Sequence, residues 1–358
     1  MRERIERLRA RLARENIDAM LVMRPENRYY LSGFTGSAGA LVITAREAYF
    51  LADFRYFEQA QEECPFCQVI GFKESLSDTL AEKLPRWGVS RLGYEGDFLT
   101  YKQAVTLQEK LEKTPVVPLY GLVEELRQVK DPGEIELLSR AAALADQAFE
   151  HILGYLKPGV TEWDVAVELE CFMRRSGARK SAFDIIVASG PRGALPHGVA
   201  SQRVIQAGDL VTMDFGCVYR GYNSDLTRTV VVGSPHPRQK EIYDLVLAAQ
   251  RAALAAVRAG IKACEVDRAA RQVIDSAGYG ENFGHSTGHG VGLAVHEEPS
   301  VSKKNETLLQ PGMVITIEPG IYLPGWGGVR IEDLVVVEEE GCRILTSAPK
   351  DPLPEVPV

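Results

Sequence analysis

The sequence predicts an α+β protein: a duplicated α+β unit with pseudo-twofold symmetry, preceded by a smaller α/β domain. Three observations lead there. Short apolar runs alternate with helical patterns through the first third of the chain. Turn and helix-start signals cluster at residues 121–135. The stretch QAGDLVTMDFGCVYRGYNSDLTRTVVV at 206–232 is echoed at 310–337 by QPGMVITIEPGIYLPGWGGVRIEDLVVV, and a repeat within a chain is a fold-level signal.

The first element is an amphipathic helix in which Ile5, Leu8, Leu12 and Ile17 punctuate a charged sequence. It lacks the apolar core and cleavage site of a signal peptide. Apolar runs at Ala19–Val22, Ala40–Ile43, Ala48–Leu51 and Arg91–Tyr94 predict strands, with a helix over Ser77–Leu84. Asp131-Pro132-Gly133 reads as a helix start, with Asp131 capping and Pro132 in the first turn. A long helix over Glu136–Leu156 should follow. The expected division is an N-terminal domain over 1–126, a linker over 127–135 and a second domain over 136–358.

Composition narrows the function. A net charge of −8 argues against a nucleic-acid partner, which needs a basic face. No apolar run approaches the roughly 18 residues of a membrane span. Cys64-Pro65-Phe66-Cys67 is a lone C-x-x-C with no second pair or nearby histidine, a weak zinc or redox signal. The other cysteines are single, and the expected location is the reducing cytoplasm.

The repeat carries the chemistry. In each copy a glycine (Gly208, Gly312) stands six residues before an acid (Asp214, Glu318). A second glycine (Gly221, Gly328) stands four residues before another acid (Asp225, Glu332). Asp214 interrupts an apolar strand, and Tyr222–Thr227 should return beside it as a hairpin around Arg220-Gly221, bringing both acids to one face. A carboxylate in such a run costs several kcal/mol unless compensated. Each acid alone is best read as a salt bridge or cap. Four brought together by symmetry would repel, and two divalent cations would cancel that charge.

Residues 283–297 hold three of the six histidines, His285, His289 and His296, among glycines. One imidazole with four carboxylates suits Mn²⁺, Co²⁺ or Fe²⁺ better than a thiolate-seeking structural zinc, with Zn²⁺ still possible. Two such ions can lower the pKa of a bridging water toward neutrality for attack on a carbonyl. An oxyanion so formed needs fixed donors, which neutral imidazole N–H groups supply.

The segment 285–297 matches His-x-x-Gly-His-Gly-x-Gly-x-x-x-His-Glu, joined by Glu-Pro-Gly at 318–320 and Arg-Ile-Glu-Asp at 330–333. With these motifs the chain resembles the metallopeptidases of the pita-bread fold, in the bacterial Xaa-Pro aminopeptidase and prolidase branch. The resemblance extends over nearly the whole chain, including an N-terminal domain of the creatinase and prolidase type. It implies that Asp214 and Asp225 chelate one metal. Asp225 and Glu332 would bridge to the second, which His289 and Glu318 also hold. It further implies that His197, His285 and His296 face the substrate, that Arg330 supports the site, and that Glu318 moves a proton to the leaving nitrogen. The substrate implied is a short proline-containing peptide and the assembly a homodimer.

Some prolidases resemble this chain around His296 but carry an arginine four residues later, to bind a dipeptide carboxylate. Here Ser300 stands there, which favours an aminopeptidase over a strict dipeptidase. Methionine aminopeptidases share the core but lack so large an N-terminal domain. Creatinase-like amidinohydrolases and non-catalytic peptide-binding relatives do not need the complete ligand set.

Overall fold

The computed structural model describes all 358 residues. They form two compact units, Met1–Arg127 and Gln128–Val358.

In the first unit the helix Arg2–Arg14 buries Ile5, Leu8 and Leu12. Six strands form one mixed sheet in the order Gln68–Gly71, Ala48–Ala52, Ala40–Thr44, Ala19–Val22, Leu92–Glu95, Val116–Leu119. The four inner strands are those expected from apolar runs. The two outer ones escape the sequence pattern for a physical reason: edge strands need only one neighbour, so they tolerate polar residues and Pro118. Ser75, accepting from the Asp78 backbone N–H, caps the helix Leu76–Arg86 two residues ahead of the apolar repeat that predicts it.

The second unit is two similar halves. Each begins with two helices, Pro132–Tyr155 and Glu162–Arg175 in one, Pro237–Ala256 and Ala263–Ser276 in the other. Asp131 and Glu134 form a reciprocal capping box at the first. Each helix pair buries its apolar stripe against its own half's sheet, giving two cores, one around Phe149, Leu169 and Phe215 and one around Tyr243, Ile274 and Ile317. No helix is long and apolar enough to cross a membrane.

The repeated segments fold alike, with one departure from the simple hairpin expected. Strand Leu210–Phe215 pairs with Leu226–Val232, and Val314–Ile317 pairs with Asp333–Glu338. Between the partners of each pair the chain makes a separate small hairpin, Cys217–Tyr219 with Tyr222–Asn223 and Gly320–Leu323 with Gly327–Arg330. The return strand is therefore split at Ser224-Asp225, the point where Gly216 crosses it. A Cβ on Gly216 would lie 1.9 Å from the Ser224 carbonyl oxygen, so only glycine fits. Gly208 and Gly312 both adopt left-handed φ, +85° and +86°, turning the chain into the equivalent strands. The halves are stitched where Thr229 exchanges hydrogen bonds with the Arg330 backbone (3.0 and 3.1 Å) and the Glu332 N–H donates to the Thr227 carbonyl (3.1 Å).

Candidate metal centre

That seam brings the repeated acids together. Asp225 sits at the split in the first copy, and Glu332 sits between the small hairpin and the strand Asp333–Glu338 in the second. His289 lies in the short strand Gly288–Gly290, which pairs with Val314–Ile317. A Cβ on Gly288 would come within 1.9 Å of the Thr316 carbonyl oxygen, so glycine is required for this approach. Ligand atoms of Asp225, His289 and Glu332 all lie within 4.8 Å of one another. Glu318 is 3.4 Å from His289 Nε2, and Asp225 is 3.5 Å from the same atom. Asp214 stands beside them with Oδ2 held at 2.6 Å by Arg330 Nη2, while its Oδ1 is buried without a partner.

The electrostatics are those of a site short of positive charge. Burial, then Asp214 and Glu318, push Asp225 well above its usual range. Burial, then Asp225 and its neighbours, do the same to Glu332. Burial, with Asp214, raises Glu318 to about 8 against the pull of Arg330. No lysine or arginine forms an ion pair with Asp225, Glu318 or Glu332. His289 adds a second sign. Its Nδ1 lies 3.0 Å from the Gly290 carbonyl oxygen, to which it donates, and burial keeps the ring neutral. Nε2 then aims a lone pair at two carboxylate oxygens, an arrangement made favourable by a cation between them. The orphaned Asp214 oxygen and this imidazole and carboxylate donor set both fit a divalent metal.

The other histidines divide. His296 is exposed, its ring centroid 4.3 Å from that of His289; desolvation and His289 lower its pKa, so it offers a neutral ring to the cleft. His197, also exposed, sits on the loop after the short helix Gly190–Ala194, and Arg330 Nη1 holds the preceding Pro196 carbonyl at 3.1 Å. His285 is engaged at both nitrogens, Nδ1 with the Ser286 carbonyl and Nε2 with the Tyr322 hydroxyl, each at 2.8 Å. Burial and Arg330 hold its pKa at about 4. With Nδ1–H donating, Nε2 accepts the Tyr322 proton, so His285 meets the cleft through that tyrosine.

Sequence reasoning missed Tyr322, Thr227 and Thr316. Tyr322 accepts from Arg330 Nη1 at 2.8 Å. Thr227 donates to Glu332 at 2.8 Å and accepts from Arg330 Nε at 3.1 Å. Thr316 accepts from the His289 N–H at 3.0 Å and donates to Glu318 at 3.1 Å. Their positions in the repeat, two residues from an acid for both threonines and four from one for Tyr322, were the available signal.

The model of metallopeptidase family M24 matches residues 136–339, and that of the creatinase/prolidase N-terminal domain matches residues 4–129. The chain is similar to a solved Xaa-Pro dipeptidase from Bacillus anthracis, with a TM-score of 0.96, 47% identity and 99% of each chain covered. It is similar to an X-Pro aminopeptidase from Thermotoga maritima, with a TM-score of 0.91, 38% identity, and 96% of this chain and 98% of that one covered. An Xaa-Pro dipeptidase of Pyrococcus furiosus is 42% identical over 98% of this chain and 99% of its own.

Proposed function

The chain belongs to metallopeptidase family M24, and from that premise we propose that it hydrolyses the bond between an N-terminal residue and a following proline in short peptides. Asp214, Asp225, His289, Glu318 and Glu332 would hold two divalent ions, for which Mn²⁺ is the proposed choice. The observation that carries this reading is the convergence of Asp225, His289 and Glu332 on one buried point without a fixed cation. Bound there, divalent ions supply Lewis acidity toward a carbonyl and lower the pKa of water.

The chain's own groups account for the rest. His296 places a neutral N–H beside the centre to receive charge growing on the carbonyl oxygen. Arg330 and His285 fix the Tyr322 hydroxyl at the same wall, and Arg330 also orients Asp214. The nitrogen leaving from proline must gain a proton to depart as an amine. Glu318, held at 3.1 Å by the Thr316 hydroxyl beside that centre, is the carboxylate proposed to carry that proton.

Two substrate lengths separate the finer readings. Ser300 offers no charge for a dipeptide carboxylate, yet two of the relatives just described carry the name Xaa-Pro dipeptidase over their full length. The weight therefore moves to a dipeptidase, with the aminopeptidase second. The test compares Mn²⁺-dependent release of alanine from Ala-Pro and from Ala-Pro-Pro, alongside metal content. Faster turnover of Ala-Pro supports the dipeptidase, and faster turnover of Ala-Pro-Pro supports the aminopeptidase. Failure to bind divalent metal and to cleave either peptide overturns both. A cytoplasmic homodimer is proposed with the same reading, and sedimentation of the purified chain tests its assembly.

A further inference from the structure

Glu162 is a wholly buried carboxylate outside the centre. It lies at the first position of the helix Glu162–Arg175, where any acid improves the helix dipole and an exposed one would suffice. Its surroundings go beyond that. Oε1 accepts from the Ser189 backbone N–H at 2.8 Å and from its hydroxyl at 2.7 Å. Oε2 accepts from the Ser201 hydroxyl at 2.6 Å, from its backbone N–H at 3.1 Å, and from the Arg192 guanidinium. Arg192 continues to the Val199 carbonyl at 2.9 Å. One carboxylate thus ties both ends and one side of the loop 189–201, which carries His197.

We propose that Glu162 is a positioning residue for His197, fixing the loop that presents this histidine to the metal centre. This rests on the peptidase reading, in which His197 faces the substrate. The loop needs such an anchor. Leu195, His197 and Val199 are exposed, so little apolar burial restrains it. A charged acceptor with five donors is far stiffer than neutral hydrogen bonds. The other half of the unit holds its own histidine comparably. Asp267 accepts both the N–H and the hydroxyl of Thr287 (3.2 and 2.8 Å) and binds Arg271, which donates to the carbonyls of Phe283 and His285. Glu162 opens the helix Glu162–Arg175 and Asp267 is the fifth residue of the corresponding helix Ala263–Ser276, each bracing the segment that bears a histidine.

The variant Glu162→Gln keeps the shape but turns one acceptor oxygen into a donor facing donors. Two measurements are made on it, amide hydrogen exchange and Ala-Pro turnover with Mn²⁺. Exchange across 189–201 should speed by about 10-fold or more while 283–287 is unchanged. Turnover should fall by about 10–100-fold at unaltered metal content. His197→Ala should cost much less in this background than in the parent, because both changes remove the same placement. Should Glu162→Gln fail to fold, Ser201→Ala removes one donor and is expected to show the same changes in smaller size. Unchanged exchange at 189–201, or a full additional loss from His197→Ala, overturns the proposal. If the parent cleaves no proline peptide, or His197→Ala alone leaves its rate intact, the peptidase reading or the role of His197 fails instead. The exchange result then still decides whether Glu162 holds the loop.

Discussion

Glu332 and Asp333 are consecutive, both buried and both acidic, yet they stand in opposite electrostatic surroundings. Asp333 is met by Arg228 at 2.8 Å and by Lys350, with Gln250 and Thr346 completing its shell at 2.6 and 2.9 Å. Burial would raise its pKa, but the two cations outweigh that and hold it below the usual carboxylate range. Glu332 has Thr227 and a group of other acids, and its pKa is driven up. A protein can bury a carboxylate by building the counter-charge into the chain or by leaving the space for a mobile one. The first arrangement makes a structural post and the second makes a ligand site. What separates the two residues is which neighbours supply positive charge.

The largest effect expected from this contrast is on activity. His289→Ala removes the one nitrogen donor and should lose one bound metal and activity by about 10³-fold or more. The fold should survive, because the residue braces no core. Metal analysis and circular dichroism check this; full turnover in the variant would refute the coordination proposed. Glu332→Gln should be equally inactive yet no less stable without metal, since it relieves repulsion.

Asp333→Asn should behave in the reverse way. It strands Arg228, whose side chain is 1% exposed, and Lys350 without their anion. The expected loss is about 3–5 kcal/mol of stability, read by denaturant titration, with the rate per folded molecule little changed. A stable but inactive variant would show that Asp333 belongs to the metal centre after all.

Protonation separates the clusters again. Glu332, Asp225 and Glu318 hold protons in the folded state that the unfolded chain releases above about pH 4–4.5. Without metal their contribution is greatest below that pH and is lost as pH rises through the folded values, about 8 for Glu318. Asp333, with its pKa depressed, contributes above pH 4 and is lost as pH falls through its folded value. Chelated protein should therefore melt about 5–10 °C lower at pH 8 than at pH 5.5, and Mn²⁺ should raise the midpoint more at pH 8. A midpoint that climbs with pH in the chelated protein would contradict the assignment of these three acids.

This contrast also shows what was legible in the sequence. The inner strands and long helices were, because burial on one face writes apolar periodicity into the chain. The convergence of Asp225, His289 and Glu332 was, because the duplication placed acids and glycines at matched spacings and His289 lies in a cluster of histidines and glycines. Asp333 shares its residue class and its neighbourhood with Glu332, so composition alone could not separate them; only the motif did. The split of the return strand depends on Gly216 passing Ser224, a contact between residues eight apart that no periodicity records. Thr227, Thr316 and Tyr322 carried only their spacing from the repeated acids, and Glu162 acts through partners 27 to 39 residues away, an address that a first-turn glutamate does not carry.

The smallest effects give the finest test, because the same substitution can be made on both sides. Thr316 donates to Glu318 and receives the His289 N–H, whereas Thr346 donates to Asp333 at 2.9 Å and receives the Leu334 N–H at 3.3 Å. Valine keeps the shape of threonine and removes the hydroxyl, so each change deletes one bond to a carboxylate and one to a backbone amide. Thr346→Val should lower stability by about 1–3 kcal/mol, the cost of a buried group left unsatisfied, with metal affinity unchanged. Thr316→Val should weaken metal binding by about 10-fold through loss of the group that orients Glu318 and His289. Calorimetric titration with Mn²⁺ and chemical denaturation of both variants place each threonine on one side. If the two substitutions produced the same pair of changes, the division between a structural and a ligand-binding cluster would not hold.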